Sequence, residues 1–350
     1  MKAIFLLVLS FACSAHAALE YRDYKPTYKV VKYGENDGKP GTNIMMPLFL
    51  EDKNHPGVAS KINHVLFTTV LGIRPPTASD AKETAVMVVE DDDFYSYGVI
   101  RNDDSVVAIE IHSEGCRASC SASNTYYNFD AKSGRQIHFS ALFNNESWKK
   151  ISARLVTQWT KQIRNNLLEA DEKSLARECI ENMKTNYGKG TPYSGFDYLI
   201  GKEGITFRRG SCWKDDGSYS PHPPIAALQD MLPPYGKGIY QLAPYTYQPT
   251  HPYGQVFDGE IGGKYKIKMT LVEPYPSAGY LHGSYHYEKY KTPIRLVAFF
   301  KRDALEISER DDADRETGNK IFAKATDNGY TGHWEGKDKK LSFAIRFGTP

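Results

Sequence analysis

The chain has 350 residues, of which 41% are hydrophobic and 25% are charged, and its formal net charge is +2 at pH 7. A chain of this length exceeds a typical single domain, so the sequence predicts two domains. The near balance of charges excludes a general attraction to nucleic acid or to an anionic membrane, and we expect no nucleic-acid partner.

The chain begins MKAIFLLVLSFACSAHA, which predicts a secretory signal peptide over residues 1–17. Lys2 gives a positive start, the apolar run covers 3–12, and residues 15–17 form a small-x-small cleavage site. The run is too short to span a bilayer, which needs about 20 apolar residues, and no later stretch is long and apolar enough. We therefore expect a periplasmic or secreted protein. A lipoprotein site at Cys13 is the weaker alternative, because the residues before it fit that pattern poorly.

Removal of the signal peptide leaves four cysteines, and an even number in an oxidising compartment predicts disulfide bonds. The simplest of the three possible pairings joins Cys116 to Cys120 and Cys179 to Cys212. Zinc sites need paired Cys-x-x-Cys units or Cys/His clusters, and thioredoxin-like chemistry needs Cys-x-x-Cys at a helix start. The Cys-x-x-x-Cys unit lies between predicted strands and fits neither, so we interpret it as a staple that shapes a loop.

Residues 18–245 mix strand and helix patterns. One helix is predicted over 58–70, and a long helix begins with Asn145 as its N-cap and extends to about Tyr187. Apolar residues recur on one face of the long helix, at Trp148, Ile151, Leu155, Trp159 and Ile163. Strands are predicted over 28–33, 44–50, 94–101, 106–112, 125–130, 135–139, 196–199, 205–209 and 239–242.

A Pro- and Tyr-rich segment, residues 246–255, predicts a linker, and the pattern over 256–350 is purely β. Apolar residues alternate with polar ones in strand-length runs that turn signals separate, which indicates an antiparallel sheet or a small barrel. The predicted fold class is therefore α+β, with an antiparallel sheet packed on a long helix and an all-β C-terminal domain. Residues 18–245 and 256–350 are expected to fold as separate units.

Motifs for catalysis are missing from the sequence: it has no Gly-x-Ser-x-Gly, no His-Glu-x-x-His, no phosphate loop and no dinucleotide fingerprint. His282 and His286 share a face of a strand but would lie about 13 Å apart, too far for one metal ion. Residues 309–320 are acidic but lack the spacing of a calcium loop, and we interpret them as a solvated hairpin loop. A glycosidase-like carboxylate pair cannot be picked out. No catalytic residue, metal or cofactor is predicted.

Carboxylates crowd the chain ahead of the cysteine loop, and only Arg101 opposes them. An acidic edge attracts a basic partner by electrostatic steering. A solvated strand edge that resists aggregation is an equally open explanation. The candidate binding residues are Asp91, Asp92, Asp93, Asp103, Asp104, Glu114 and Arg117.

Three segments carry a family resemblance: YYNFDAKSGRQIHFSALF before the long helix, then FDYLIGKEGITF, then LPPYGKGIYQLAPY. They resemble a bacterial domain of unknown function that forms the extracellular part of the lysozyme-sensing anti-sigma factor and accompanies some peptidoglycan deacetylases. The helix VASKINHVLFTTV resembles the family's upstream companion segment. The sequence has EGCRASCSAS where the family often carries a Gly-Gly-Ala-His-like loop, so properties tied to that loop do not carry over. The C-terminal β region lies outside the resemblance.

The resemblance implies an envelope binding module whose partner is a lysozyme-like muramidase, a basic cell-wall hydrolase, or peptidoglycan itself. Two other hypotheses stay open: a peptidoglycan-directed hydrolase or deacetylase-associated enzyme, and a structural envelope protein. The missing catalytic motifs favour the binding module and the structural protein over the enzyme.

Overall fold

The computed structural model describes residues 18–25, 28–32, 35–41, 44–76, 94–116, 120–166, 177–178, 180–181, 184–185, 196–209, 220–246, 254–272, 280–290, 292–301, 304–311 and 314–347. The helices with described bounds are α1 (Val58–Val70), α2 (Phe139–Leu142), α3 (Asn145–Asn166), α4 (Ile225–Leu228) and α5 (Pro234–Ile239), and a 3-10 turn spans Gln229–Met231. None of these helices is long and apolar enough to cross a membrane.

Strands dominate the described part of the chain. They are β1 (Tyr21–Tyr24), β2 (Tyr28–Lys32), β3 (Glu35–Gly41), β4 (Met46–Phe49), β5 (Phe94–Asn102), β6 (Val106–Cys116), β7 (Cys120–Asp130), β8 (Phe196–Ile200), β9 (Ile205–Arg209), β10 (Gln255–Ile261), β11 (Tyr265–Val272), β12 (Leu281–Tyr287), β13 (Ile294–Lys301), β14 (Ala304–Arg310), β15 (Glu316–Thr326), β16 (Gly329–Gly336) and β17 (Lys339–Phe347).

The predicted α+β class, with a sheet packed on a long helix, is wrong, because the described chain is mainly β and its largest sheet is a closed eight-stranded barrel. The described members of the α3 stripe, Trp148, Ile151, Leu155 and Trp159, are buried as expected. Among the described residues, the sheet β5–β7 contributes only Val106, Ala108 and the partly buried Tyr126 to their cluster. The stripe packs chiefly against the α2 segment, the hairpin β8–β9 and α5. In that packing the ring of Phe139 meets the Trp148 ring edge-on at 4.8 Å.

Strands β5, β6 and β7 form an antiparallel sheet in chain order. Side chains alternate along β6, so Val107 and Ile109 face the side opposite to Val106. On that side they join a second buried cluster with β4 and with Ile62 and Leu66 of α1. The helix pattern predicted over 58–70 is thus confirmed, and α1 covers one face of the sheet.

Two predicted elements near Asp130 and Ile239 have other conformations. The segment 135–139 turns back onto β7 as predicted but is not a full strand: it pairs through a single antiparallel bridge of Gln136 with Phe129, and α2 begins at Phe139. Residues 239–242 end a helix rather than form a strand, because Pro234 suits the first turn of a helix. The cap of α3 lies one residue earlier than predicted, at Asn144, whose Oδ1 accepts the Ser147 N–H at 2.8 Å.

Strands β10 to β17 form a closed antiparallel barrel in which each strand pairs with the next and β17 returns to β10. The alternating apolar residues predicted for this region fill its interior, as Ile267, Met269 and Leu271 of β11 illustrate. Close strand contact is needed at Gly332, where a Cβ atom would lie 1.9 Å from the Phe322 carbonyl oxygen. The barrel therefore closes through its backbone ladder around one apolar core.

Helix α1 also packs on the outside of the barrel, where Val256 of β10 and Val272 of β11 join the buried cluster of α1. Nearby, the Gln136 N–H donates to the Gly254 carbonyl at 2.6 Å. Packing across the linker does not show whether each side folds alone. The division into 18–245, 246–255 and 256–350 stays a prediction.

Candidate functional site

The structure does not gather the predicted site residues at one place. Six of them lie outside the described residues: Asp91, Asp92, Asp93, Arg117, Cys179 and Cys212. Asp103 and Asp104 lie in the turn between β5 and β6, while Glu114 lies near the far end of β6. Val106 and Glu114 are eight residues apart (114 − 106), which is roughly 26 Å along a strand. The described candidates Asp103, Asp104 and Glu114 are therefore divided between two ends of the sheet.

Asp103 has a structural role in its turn. Its carboxylate accepts the Arg101 Nε–H at 2.7 Å and the backbone N–H groups of Ser105 at 2.9 Å and Val106 at 3.0 Å. Burial opposes ionisation of Asp103, but the hydrogen bonds and charge of Arg101 outweigh it and lower the pKa of the carboxyl group. A carboxylate held in this way is less available to an outside partner.

The second end is the hairpin tip, which we define as residues 112–116 of β6 and 120–125 of β7. The two strands pair without a bulge from Val106 with Asp130 to Cys116 with Cys120. Side chains of β6 and β7 are buried near the Val106 end, but most are half-buried or exposed at the tip. Cys116 and Cys120 are direct register partners there, and the disulfide between them stays a prediction.

A polar network orders the hairpin tip. The His112 ring nitrogen Nδ1 lies 2.7 Å from the Asn124 side-chain oxygen, and the Asn124 amide donates to the Glu110 carboxylate at 2.6 Å. The hydroxyl groups of Ser113 and Ser123 lie 2.8 Å apart. These bonds cross from β6 to β7. They hold the hairpin in one conformation before any partner arrives.

An exposed aromatic residue of β5 lies beside the hairpin tip. Phe94, the first residue of β5, pairs in register with Glu114, and its side chain is 41% exposed. Its ring lies 6.3 Å from the ring of His112. Asp91, Asp92 and Asp93 directly precede Phe94 in the sequence and lie outside the described residues.

A histidine pair lies between α1 and the barrel. The rings of His64 and His286 are 5.2 Å apart and both are buried. Burial, the charge of His286 and that of Lys268 lower the pKa of His64 to about 3. Burial, Arg74 and Lys268 lower the pKa of His286 to about 4. Sequence spacing placed His286 on a strand face, but nothing local pointed to His64 as its neighbour.

A cleft of about 560 Å³ opens between the C-terminal end of α1, the sheet and the barrel. Its walls include Thr69, Tyr127, His282, Arg295 and Asp314. The Thr69 and Tyr127 hydroxyls lie 3.3 Å apart. Burial lowers the pKa of His282, which faces Asp314 as a countercharge. The lining mixes both charges with apolar groups and does not favour one class of ligand.

The barrel contains a buried carboxylate, Glu309 of β14, which is 4% exposed. Its Oε1 accepts the Tyr285 hydroxyl at 2.6 Å and the Trp334 indole N–H at 2.7 Å, and its Oε2 accepts the Asn319 amide at 2.8 Å. Burial and then the charge of Glu309 raise the pKa of Tyr285. The expectation that 309–320 is a solvated loop is therefore wrong for Glu309. Its place in the alternating series Leu305, Ile307, Glu309 was the signal that the sequence offered.

Metal binding has no support in the described ranges, where no group of three or more His, Cys, Asp or Glu side chains is arranged to hold a metal ion. His286, which the sequence placed too far from His282 to share a metal ion with it, contacts the ring of His64.

Comparisons with known proteins give a limited result. No family model matches the chain, and no curated protein matches it. Among solved structures, the chain is similar to a member of the DUF3298 family from Bacteroides fragilis, with 12% sequence identity and a TM-score of 0.43. That similarity covers 64% of this chain and 97% of the other. The neighbour belongs to a domain family of unknown function, and a likeness at this level transfers neither an activity nor a site.

Proposed function

We propose that this chain is an exported binding protein that docks a basic cell-wall hydrolase of the lysozyme-like muramidase class through its hairpin tip. The observation that carries the proposal is the exposed Phe94 ring of β5, which pairs in register with Glu114 of the internally bonded hairpin tip. The resemblance of the sequence to the extracellular domain of the lysozyme-sensing anti-sigma factor suggests the class of partner.

The physical case rests on pre-organisation and local charge. A hairpin that is already ordered by the bonds among Glu110, His112 and Asn124 loses less entropy when it docks. An exposed aromatic ring is a typical energetic anchor of an interface, and a neighbouring carboxylate speeds encounter with a cationic protein. The chain as a whole is slightly basic, so this steering must come from the tip and not from net charge.

The two alternatives have weaker support. A peptidoglycan-directed enzyme needs a pair of carboxylates or a nucleophile with its base, whereas Glu110 is engaged with Asn124 and Glu114 is exposed at the strand end. A structural envelope protein does not require an exposed anchor such as Phe94. Incubation of the protein with purified peptidoglycan separates them, because released fragments or acetate would favour the enzyme.

The test is biosensor binding of residues 18–350 to a lysozyme-like muramidase at low and at moderate salt. We expect Phe94→Ala to weaken binding by about tenfold or more, as loss of an anchor ring does. Glu114→Gln should slow association chiefly at low salt, since screening removes steering. A Cys116→Ser/Cys120→Ser variant reports on the contribution of the predicted staple.

The matched control is Phe299→Ala, since Phe299 is also 41% exposed but lies on the barrel. It should bind as the wild type does. Absence of binding by the wild type would end the muramidase proposal, and equal binding by all variants would place any partner site away from the hairpin tip.

A further inference from the structure

The carboxylate of Glu309 is in an unusual electrostatic position. It is buried, yet its three hydrogen-bond donors, Tyr285, Trp334 and Asn319, are all neutral. Across the described ranges no lysine, arginine or histidine pairs with it. Its neighbour Arg310 instead reaches the Asp314 carbonyl and Glu316, both at 3.3 Å. A buried negative charge without a cation is costly unless something else compensates it.

The carboxylate also keeps unused capacity to accept hydrogen bonds. A carboxylate offers about four acceptor positions, two on each oxygen. Oε1 of Glu309 receives two donors and Oε2 receives one, the Asn319 amide. One acceptor position on Oε2 is thus left for a donor that the described residues do not supply.

A series of neighbouring aromatic rings leads from this carboxylate to the surface of the barrel. Tyr287 lies at their centre, with ring centroids 5.5 Å from Tyr285, 6.1 Å from Tyr265 and 5.9 Å from Tyr290. Tyr265 and Tyr290 are exposed at 44% and 62%, so they form the rim. Together with Trp334 and Glu309 we call these residues the barrel mouth.

Two further contacts fit a site for a cation. The Lys264 ammonium lies 4.7 Å from the centroid of the Tyr265 ring, so a rim ring already attracts a positive charge within the chain. The indole ring of Trp334 packs over Gly336, where an added Cβ atom would lie 2.4 Å from the nearest ring carbon. The absence of a side chain at position 336 therefore allows Trp334 to reach Glu309.

We infer that the barrel mouth binds a primary alkylammonium group, with aromatic faces around the cation and Glu309 as its counterion. Ring quadrupoles attract ammonium groups most strongly where water is displaced. A charge-assisted N–H···O bond to Oε2 would fill the open acceptor position and compensate the buried charge. The alkylammonium belongs either to a free amine or to a lysine side chain of another polypeptide. This inference is independent of the hairpin tip.

The experiment uses the full chain, labelled with nitrogen-15, and follows the Trp334 indole N–H by NMR. The signal is assigned from its loss in Trp334→Phe. We titrate n-pentylammonium, its neutral isostere 1-pentanol, and N-acetyl-lysine-N-methylamide. We expect a saturable shift with pentylammonium and none with pentanol. A shift with the blocked lysine as well assigns the site to polypeptide-borne groups, and a shift with pentylammonium alone assigns it to free amines.

Two variants test the residues. Glu309→Gln keeps an acceptor of the same shape and removes the charge, and should weaken binding about tenfold or more. Tyr290→Ala removes an exposed rim ring and should weaken binding several-fold without altering the fold, while Phe299→Ala, on the outer surface, should have no effect. Equal shifts with pentanol, unchanged binding in Glu309→Gln or in Tyr290→Ala, or no saturable shift in the wild type would each overturn the inference. If Glu309→Gln does not fold, Tyr290→Ala and the pentanol titration still decide.

Discussion

The N-terminal region and the barrel are held together in different ways. In the N-terminal region, distant segments are joined by side chains that bond to backbone: Arg101 donates to the carbonyls of Gly201 and Ile239, and Asn128 bonds both Tyr198 and Ile200. In the barrel, consecutive backbone ladders close a ring around one apolar core. The first region should therefore be sensitive to loss of single polar side chains, and the second to loss of close strand contact.

The largest effect is expected from Gly332→Val in the barrel. A Cβ atom at this position would lie 1.9 Å from the Phe322 carbonyl oxygen, so β15 and β16 must separate. Such overpacking against backbone should cost about 4 kcal/mol or more of the free energy of unfolding. Urea denaturation measures it. The control is Thr331→Val on the exposed neighbour, which should change stability by about 0.5 kcal/mol at most.

A smaller but still large effect is expected from Asp130→Ala in the N-terminal region. Asp130 is fully buried and accepts hydroxyl bonds from Tyr235 at 2.9 Å and Tyr245 at 2.5 Å. Its loss leaves buried donors unsatisfied and should cost roughly 3 to 5 kcal/mol. Asp258→Ala is the control, since Asp258 forms an exposed ion pair with Lys268 on the barrel, worth about 1 kcal/mol or less. Equal losses in the two variants would contradict the contrast between the regions.

The histidine pair between the two regions should make stability depend on pH. The pKa values of His64 and His286 in the folded protein, about 3 and about 4, lie below the ordinary value of 6.5. The unfolded chain therefore binds more protons as the pH falls below 6.5, and the free energy of unfolding decreases until the folded-state pKa values are reached.

His286→Gln, which does not titrate, should reduce the difference in unfolding free energy between pH 7 and pH 4.5 by about 1 to 3 kcal/mol. The matched variant His333→Gln changes a half-buried histidine on the barrel that pairs with Glu335. A pH profile of His286→Gln identical to that of the wild type would show that the interface does not carry this dependence.

The sequence predicted local features better than the way they combine. The alternating barrel strands are predictable because each buries one face, and the period of apolar residues reports a single buried face directly. The helical period over 58–70 also predicts α1, but it does not show that α1 is buried on more than one side, between the sheet and the barrel. The apolar stripe of α3 is also predictable from its helical period, but the period does not indicate which element packs against the stripe. The predicted sheet-on-helix packing failed because the α2 segment and the hairpin β8–β9 occupy most of that place.

The candidate sites show the same limit. The apolar alternation predicts that β6 ends at His112, whereas pairing with β7 extends it to Cys116, so that Glu114 lies within the strand and far from Asp103. Glu309 was assigned to a solvated loop because charged residues follow it, although its alternation with Leu305 and Ile307 points inward. The neighbour relation of His64 and His286 depends on the packing of α1 against the barrel, which no local pattern encodes.

The contact between α1 and the barrel has a consequence for the order of folding. Ile62 of α1 and Val256 of β10 share one buried cluster, yet they are 194 residues apart in the chain (256 − 62). Contacts between residues so far apart in the chain form slowly. During synthesis, the barrel-facing side of α1 therefore stays exposed until the last third of the protein has been made. A nascent or truncated chain that lacks the barrel strands presents this surface to other molecules. Chaperone capture or exchange of barrels between two chains is the expected outcome in that interval.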